Sequence, residues 1–332
     1  MTAAKKGQVD CVKVLLEFGA LLDLPMITIA GKCYVSRNDA IYTACDNGHF
    51  DVVKLLLETD PNAELNHPQY RPLYKACRHG NLEMAKLLIE HGAELSKVKR
   101  EYGTNALMEA SKSGNAELVE YLISKGAKID DYDKHNLHVL LIACKRGHLD
   151  VMEVLLKHGA EVNVLRLGME SQRNTCLNIA CQRDDMAMIR LLVKYKADMT
   201  VYNCDGYSPF ISAYLRNKME AIDLFLEHGV DLNYNENWAC DKYEWTPLMY
   251  ACDRGDIEMV KRLLAHGADV NIISQYSSKY SYPSSTALLV SLGHEEVLQA
   301  GLSISLFPYS LLFPYSRESC REIKNFKPIE GK

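Results

Sequence analysis

The chain has 332 residues, of which 48% are hydrophobic and 24% are charged, and this composition is typical of a globular protein and argues against a disordered one. The formal net charge of -5 gives no global indication of binding to nucleic acid or to an anionic membrane. The 11 Cys residues are odd in number and include no CxxC pair, which disfavours a disulfide framework and a CxxC-type zinc site.

The first residues carry no pattern of a secretory signal. Charged side chains such as Lys5, Lys6, Asp10 and Lys13 interrupt every apolar run near the start of the chain, so the apolar core of a signal peptide is missing. Together with the free thiols, this predicts a reducing intracellular compartment. We expect the cytoplasm, with the nucleus as the alternative.

One pattern recurs along the chain. An Ala precedes the last aliphatic residue of each block by thirteen positions, as from Ala44 to Leu57 and from Ala251 to Leu264. Eight copies keep this register, and the blocks begin again every 32 to 41 residues. Repetition at this period indicates stacked supersecondary units. It therefore favours one elongated array over the two domains that the length suggests.

Each block is predicted to be a short helix, a Gly turn and a second, amphipathic helix. Pro72, Pro209 and Pro247 fit the first position of the short helix, where no N–H is needed. Five preceding residues have side chains that can accept from the orphan N–H groups of a helix: Asp39, Asn105, Thr175, Ser208 and Thr246.

In chain order, the predicted repeats are residues 1–20, 39–60, 71–93, 105–127, 138–160, 175–197, 208–230 and 246–268, with a degenerate half-repeat at 286–298. The array is expected to span residues 1–294, and residues 295–332 form a C-terminal tail. The expanded loops between repeats are Leu21–Asn38, Val164–Arg173 and Asp231–Glu244.

These blocks resemble the ankyrin repeat. The family's T-P-L-H-x-A-A signature is clearest at Thr246–Cys252, its G-H-x-x-V-x-x-L-L segment at Gly48–Leu57, and its G-A-D-V-N ending at Gly267–Asn271. The resemblance implies an all-α solenoid of about eight helix–turn–helix repeats with β-turn fingers. It also implies a protein-binding scaffold or adaptor that is not an enzyme and needs no cofactor.

The sequence departs from the family pattern in two ways. Lys196 replaces the Gly that closes the sixth repeat, so we expect a strained or differently closed helix end there. The His of the signature is missing in every copy, which puts the family's Thr–His hydrogen bonds in doubt, and its replacements are Tyr42, Tyr74, Met108, Leu141, Asn178, Ile211 and Met249.

Repeated Cys and His residues are weighed against a metal or redox role. A Cys follows the repeat Ala in five copies, at Cys45, Cys77, Cys144, Cys181 and Cys252, and we expect it to be a small buried residue. The His residues before the closing Gly are expected to pair with helix C-termini. Because each set is spread along the stack with one residue per repeat, we expect no metal site. The sequence contains no nucleophile-elbow, phosphate-binding or H-E-x-x-H motif, so nothing in it indicates catalysis.

The two residues between each Ala-x pair and the following Gly form the end row, which we expect on the concave side of the solenoid. The end row contains two acids, Asp46 and Asp253. Its seven cations are Arg78, Lys112, Lys145, Arg146, Arg183, Arg216 and Arg254. We therefore predict a groove for an acidic or phosphorylated segment of a partner protein; an ordinary solvated face is the alternative.

Aromatic residues collect in the loops between helix pairs, and Trp238 and Tyr243 in the expanded loop Asp231–Glu244 are predicted to contact the partner. The protein is expected to be monomeric and not to bind nucleic acid or a membrane.

The tail leaves two alternatives open. Residues 297–316 carry no charge, but their Pro, Gly and Ser residues weaken a membrane-segment reading. Ser319–Ile323 faintly resembles the Cys-Arg portion of the SOCS box, which would make the chain the substrate-recognition subunit of a ubiquitin ligase. For the chain as a whole, a further alternative is that it is a regulatory piece of a larger signalling or membrane protein.

Overall fold

The computed structural model describes residues 2–20, 27–29, 32–34, 40–66, 71–95, 103–133, 135, 137–165, 174–203, 206–234, 245–273 and 286–287. Within these ranges, sixteen α-helices form eight consecutive pairs, which confirms the predicted fold class and its repeat number. The half-repeat at 286–298, except residues 286–287, and the tail lie outside the described residues.

The first four pairs are α1 (Thr2–Lys5) with α2 (Val9–Glu17), α3 (Ala40–Asp46) with α4 (Phe50–Thr59), α5 (Pro72–Arg78) with α6 (Leu82–Glu90), and α7 (Ala106–Ser113) with α8 (Ala116–Ser124). The last four are α9 (Val139–Arg146) with α10 (Leu149–Lys157), α11 (Cys176–Arg183) with α12 (Met186–Lys194), α13 (Pro209–Leu215) with α14 (Met219–Glu227), and α15 (Pro247–Asp253) with α16 (Ile257–Ala265).

Side-chain caps begin many of these helices. Asn105, Thr175, Ser208 and Thr246 accept from the backbone N–H three residues later, as predicted, while Asp39 lies outside the described residues. Four of the second helices, α6, α8, α12 and α16, are capped as well, which was not predicted from the sequence. Their caps are Asn81, Asn115, Asp185 and Asp256.

The turns between repeats are closed by backbone hydrogen bonds. Strands β1 (Ile27–Ile29) and β2 (Lys32–Tyr34) form an antiparallel hairpin in which Ile27 pairs with Tyr34. In later turns, the Asp133 N–H donates to the Leu137 carbonyl over 3.1 Å, and the Asn203 N–H donates to the Tyr207 carbonyl over 2.9 Å. These turns correspond to the expected β-turn fingers.

Among the described residues, three turn positions adopt a left-handed backbone without a glycine. Lys196 has φ of 59°, which confirms the strained closure expected there. Asp184 and Asn217 replace the central Gly of their repeats and have φ of 60° and 56°. Because a Cβ makes this conformation costly, and least so for Asn and Asp, the repeat geometry at these positions overrides the preference of the side chain.

The described residues divide into two compact units, with residues up to Asp231 in the first and those from Leu232 in the second. In the first unit, each first helix packs on the next along α1, α3, α5, α7, α9, α11 and α13. The second helices pack in the same sequence from α2 to α14. The second unit contains α15 packed on α16.

The core of the first unit lies in the seams between neighbouring pairs. Leu88, Leu122 and Leu155 occupy the same position in successive second helices and are fully buried. Burial of one such side chain contributes about 2 kcal/mol. The hydrophobic residues of the chain thus pack in seams that neighbouring repeats share.

The five repeated Cys residues are buried, as predicted, and none of them is in a disulfide. Burial raises the pKa of the Cys181 thiol to about 12 and that of Cys252 to about 11. Thiols held in this state are poor nucleophiles and poor metal ligands at neutral pH.

A second kind of link between repeats is polar. The His49 ring Nε2 lies 3.0 Å from the Lys5 carbonyl oxygen, and the His148 Nε2 lies 3.1 Å from the Lys112 carbonyl oxygen. Both rings cover a glycine of the preceding turn: a Cβ at Gly7 would lie 2.5 Å from His49 Nδ1, and one at Gly114 would lie 2.8 Å from His148 Nδ1.

Candidate partner-binding surface

The end row lies at the C-terminal ends of the first helices, where helix geometry leaves backbone carbonyls without partners. Its charged members in the first unit differ in their surroundings. Arg78, Lys145, Arg146, Arg183 and Arg216 are exposed, while Lys112 is partly buried.

Asp46, the acid of the end row in the first unit, is neutralised by two side chains of the next repeat. Its Oδ1 lies 2.6 Å from Lys75 Nζ and 3.6 Å from His79 Nε2. Burial alone would raise the pKa of Asp46, but hydrogen bonds and charge from Lys75 and His79 outweigh it, so that this pKa lies below its usual value. Lys75 lies outside the row, and no signal in the sequence indicated this pairing.

Lys112 is also neutralised, by a residue of its own helix. Its Nζ donates to Glu109 Oε1 over 2.7 Å. Glu109 is only 7% exposed, and a buried carboxylate requires a paired charge. The side chain of Lys112 therefore has a structural role that its sequence position did not indicate.

Arg183 joins the sixth repeat to the fifth. Its Nη1 donates to the Cys144 carbonyl over 3.2 Å and to the Lys145 carbonyl over 2.9 Å, at the C-terminal end of α9. A cation at this end is favoured by the helix dipole. The contact also places the Arg183 guanidinium beside the segment that carries Lys145 and Arg146.

Arg216 repeats this arrangement one pair further on, because its Nη1 donates to the Gln182 carbonyl over 3.4 Å. Next to it, Lys218 pairs with Asp184. The structure thus brings together four of the predicted site residues, Lys145, Arg146, Arg183 and Arg216, which we name the basic cluster. Within the described ranges, no carboxylate pairs with Arg146, Arg183 or Arg216.

The remaining predicted site residues lie elsewhere. Arg78 is exposed at the end of α5, where no carboxylate of the described residues pairs with it. Arg254 is exposed in the second compact unit. Trp238 and Tyr243 lie outside the described residues.

The repeated His residues before the closing Gly contact their own helices. The Nδ1 atoms of His91, His228 and His266 each lie 2.8 Å from the carbonyl oxygen four residues earlier. His158 differs, since its Nε2 lies 2.8 Å from Glu120 Oε1 of the preceding repeat. Nowhere in the described ranges do three or more His, Cys, Asp or Glu side chains gather in a way that could hold a metal ion.

Tyr74 and Asn178, which replace the signature His, form hydrogen bonds to later residues. The Tyr74 hydroxyl donates to Thr104 Oγ1 over 2.5 Å, and Asn178 Nδ2 donates to the Val201 carbonyl over 3.0 Å. Both bonds run from a first helix to a residue more than twenty positions later. Apolar replacements such as Met108, Leu141 and Ile211 are buried instead.

In the described part of the chain, no helix has both the length and the apolar character needed to cross a membrane. The uncharged tail segment lies outside that part.

Comparisons with known proteins agree with this architecture. The family model for ankyrin repeats in sets of three copies matches residues 1–99, 41–133, 96–166, 140–236 and 177–274. The chain therefore belongs to the ankyrin repeat family.

One curated relative is a putative ankyrin repeat protein of fowlpox virus, FPV244, which is 46% identical over 52 residues. That alignment covers 16% of this chain and only 7% of the viral protein. Among solved structures, the ankyrin repeat domain of human ASB11 is similar, with a TM-score of 0.54 and 27% identity. The similarity covers 67% of this chain and 95% of the ASB11 chain.

Proposed function

We propose that this chain is a non-catalytic scaffold or adaptor that binds an acidic or phosphorylated segment of a partner protein on the basic cluster. Ankyrin repeats are generally protein-interaction modules, so binding of a protein is the coarse function that family membership supports. The observation that carries the finer proposal is the gathering of Lys145, Arg146, Arg183 and Arg216 on three successive first-helix ends.

The geometry of the cluster suits a carboxylate or phosphate. Arg183 uses Nη1 for the α9 carbonyls, which fixes its guanidinium plane and leaves other N–H groups to bind a ligand. A fixed guanidinium loses less conformational entropy on binding than a mobile one and can contact an anion through two bonds. Arg78, Lys112, Arg254, Trp238 and Tyr243 are proposed as further partner contacts outside this cluster.

The test is binding of the full-length chain to fluorescent peptides of equal length that are acidic, phosphoserine-containing, neutral or basic. We expect the acidic and phosphorylated peptides to bind, and their affinity to fall with added salt. Equal affinity for the neutral peptide, or affinity insensitive to salt, would contradict the proposal. Affinity capture with the same chain, read by mass spectrometry, then identifies cellular partners.

Substrate recognition in a ubiquitin ligase is the second candidate. The similarity to the ASB11 ankyrin repeat domain concerns the repeats, while the SOCS-like segment Ser319–Ile323 lies outside the described residues. Co-purification with elongin and cullin subunits, lost on deletion of the tail, is the result that this candidate requires.

A further inference from the structure

Two guanidinium groups of the basic cluster are held at equivalent places in successive repeats. Arg183 Nη1 donates to the Lys145 carbonyl over 2.9 Å. Arg216 Nη1 donates to the Gln182 carbonyl over 3.4 Å. Lys145 and Gln182 each follow the Ala-Cys pair of their own repeat, so they occupy the same position in α9 and α11. Each arginine therefore lies on the C-terminal end of the first helix that precedes its own.

This equivalence sets the distance between the two guanidinium groups. Helix α9 packs on α11, and packed neighbouring helices lie about 8–10 Å apart. Because the two acceptor carbonyls occupy the same place on these helices, the guanidinium groups bound to them are separated by about the same distance. A ligand that binds both arginines therefore needs two anionic groups that lie about 9 Å apart.

Both places are open to an anion. Arg183 and Arg216 are exposed. The turn beside Arg183 contains Gly147, where a Cβ would lie 3.3 Å from Arg183 Nη2, and the absence of that Cβ leaves this edge of the guanidinium uncovered. The residue of the next turn that is equivalent to Gly147 is Asp184, and its charge is neutralised by Lys218. Repulsion of an anion at Arg216 is thereby reduced.

The distance between the arginines selects a conformation for the ligand. A polyproline II helix has three residues per turn and a rise of about 3.1 Å per residue, so side chains i and i+3 share one face about 9 Å apart. A β-strand places side chains of one face about 6.6 or 13 Å apart. An α-helix places them about 6 Å apart at i+4 and about 10.5 Å apart at i+7. Polyproline II matches the distance best and is a major conformer of unfolded segments.

We propose that the basic cluster binds a segment in the polyproline II conformation that carries two anionic side chains three residues apart, one on Arg183 and one on Arg216. This proposal rests on the proposed function and adds to it the conformation of the ligand and the spacing of its charges. Phosphoserine, Asp and Glu share the required chemistry, since each presents oxygen atoms to the parallel N–H groups of a guanidinium.

Fluorescence anisotropy with the full-length chain tests the spacing. Proline-rich peptides of equal length and charge carry two phosphoserines at i and i+2, i+3, i+4 or i+5, and an alanine-rich helical peptide carries them at i and i+7. We expect the i+3 peptide to bind about fivefold more tightly than each of the others, because only this peptide gains the second ion pair. A parallel series has Glu in place of phosphoserine. An optimum at i+3 in both series supports the proposal for either anion, and an optimum in one series supports it for that anion alone.

Variants separate recognition of paired anions from general attraction. Arg216→Gln should lower affinity for the i+3 peptide about fivefold, to that of the other spacings, and should change affinity for a peptide with a single phosphoserine less than about twofold. Arg183→Gln should also abolish the spacing preference. Lys54→Gln removes the same charge at an exposed position outside the end row and is the matched control, which should keep the preference. Circular dichroism melts check that each variant is folded.

The possible failures are distinguishable. Equal affinity for all spacings, an optimum at i+7 in the helical peptide, or a preference for i+3 that survives Arg216→Gln would overturn this proposal, while binding of anionic segments by the cluster would stand. If none of the anionic peptides binds, the proposed function fails together with it.

Discussion

The end row of the first unit differs between its early and late repeats. In the second to fourth pairs, Asp46 is bound to Lys75 and His79, and Lys112 is bound to the buried Glu109. In the fifth to seventh pairs, Arg183 and Arg216 bind backbone carbonyls. Arg78 of the third pair is the early exception, since no described carboxylate pairs with it. The difference teaches that a cation of the row is available to a ligand only where no neighbouring carboxylate is paired with it.

The largest expected effect is on peptide affinity and comes from reversing the charge of the row in the fifth pair. Lys145→Glu with Arg146→Glu should weaken binding of the acidic peptide about tenfold, since each exposed pair is worth up to about 1 kcal/mol. Fluorescence anisotropy at two salt concentrations measures this. Lys54→Glu with Lys128→Glu changes the net charge equally at two exposed positions outside the row and should leave affinity nearly unchanged. Equal losses in both double variants would show that only net charge matters.

The next effect concerns stability. Arg183→Ala removes two hydrogen bonds to the end of α9, so we expect a loss of about 1 kcal/mol in the free energy of unfolding. Urea denaturation measures it. Arg146→Ala is the matched control, because Arg146 has the equivalent position one repeat earlier without such bonds, and its loss should stay within about 0.5 kcal/mol. If the two losses are equal, Arg183 does not support α9.

The fourth pair can be changed so that its row cation Lys112 lacks a carboxylate partner, as the arginines of the later pairs do. Glu109→Gln removes the counter-charge of Lys112 and should raise affinity for the acidic peptide about threefold, by about 0.7 kcal/mol. The Gln amide oxygen can still accept from Lys112, which limits the loss of stability. Glu109→Gln combined with Lys112→Gln is the control and should bring affinity back to the original value. Unchanged affinity in the single variant would mean that Lys112 does not contact the peptide.

The smallest effect is a dependence on pH. Because the pKa of Asp46 lies below its usual value in the folded chain, its pairing stabilises the fold at neutral pH and is lost as the pH falls through that lowered pKa. Asp46→Asn should therefore lower stability by less than about 1 kcal/mol at pH 7. The difference in stability between the variant and the original chain should become smaller at acid pH. Thermal melts from pH 7 to pH 3 measure this, and a constant difference would contradict it.

The fold was predictable because its signals are local and repeated. Ala at the seam, the turn Gly and caps such as Thr246 lie at fixed spacing within one repeat, and eight copies reinforce each other. The charged surface was less predictable, because the ionic partners of its residues lie at no fixed separation in the sequence. Glu109 lies three residues from Lys112, while Lys75 reaches Asp46 from the next repeat.

The same limit applies to contacts between repeats. The Ala-Cys-x-Arg pattern around Arg183 does not show that its guanidinium binds the preceding helix, since Arg146 lies in the same pattern and makes no such bond to the described residues. The predicted contacts of Trp238 and Tyr243 remain predictions.

The glycines that lie under histidine rings have a consequence for how such arrays can change. A side chain at Gly7 would collide with His49, and one at Gly114 would collide with His148, so the ring of the following repeat adds a second reason for glycine to the positive φ of these turns. A repeat that carries such a ring can therefore follow only a repeat whose turn has a glycine. The turns at Asp184 and Asn217 would not accept it.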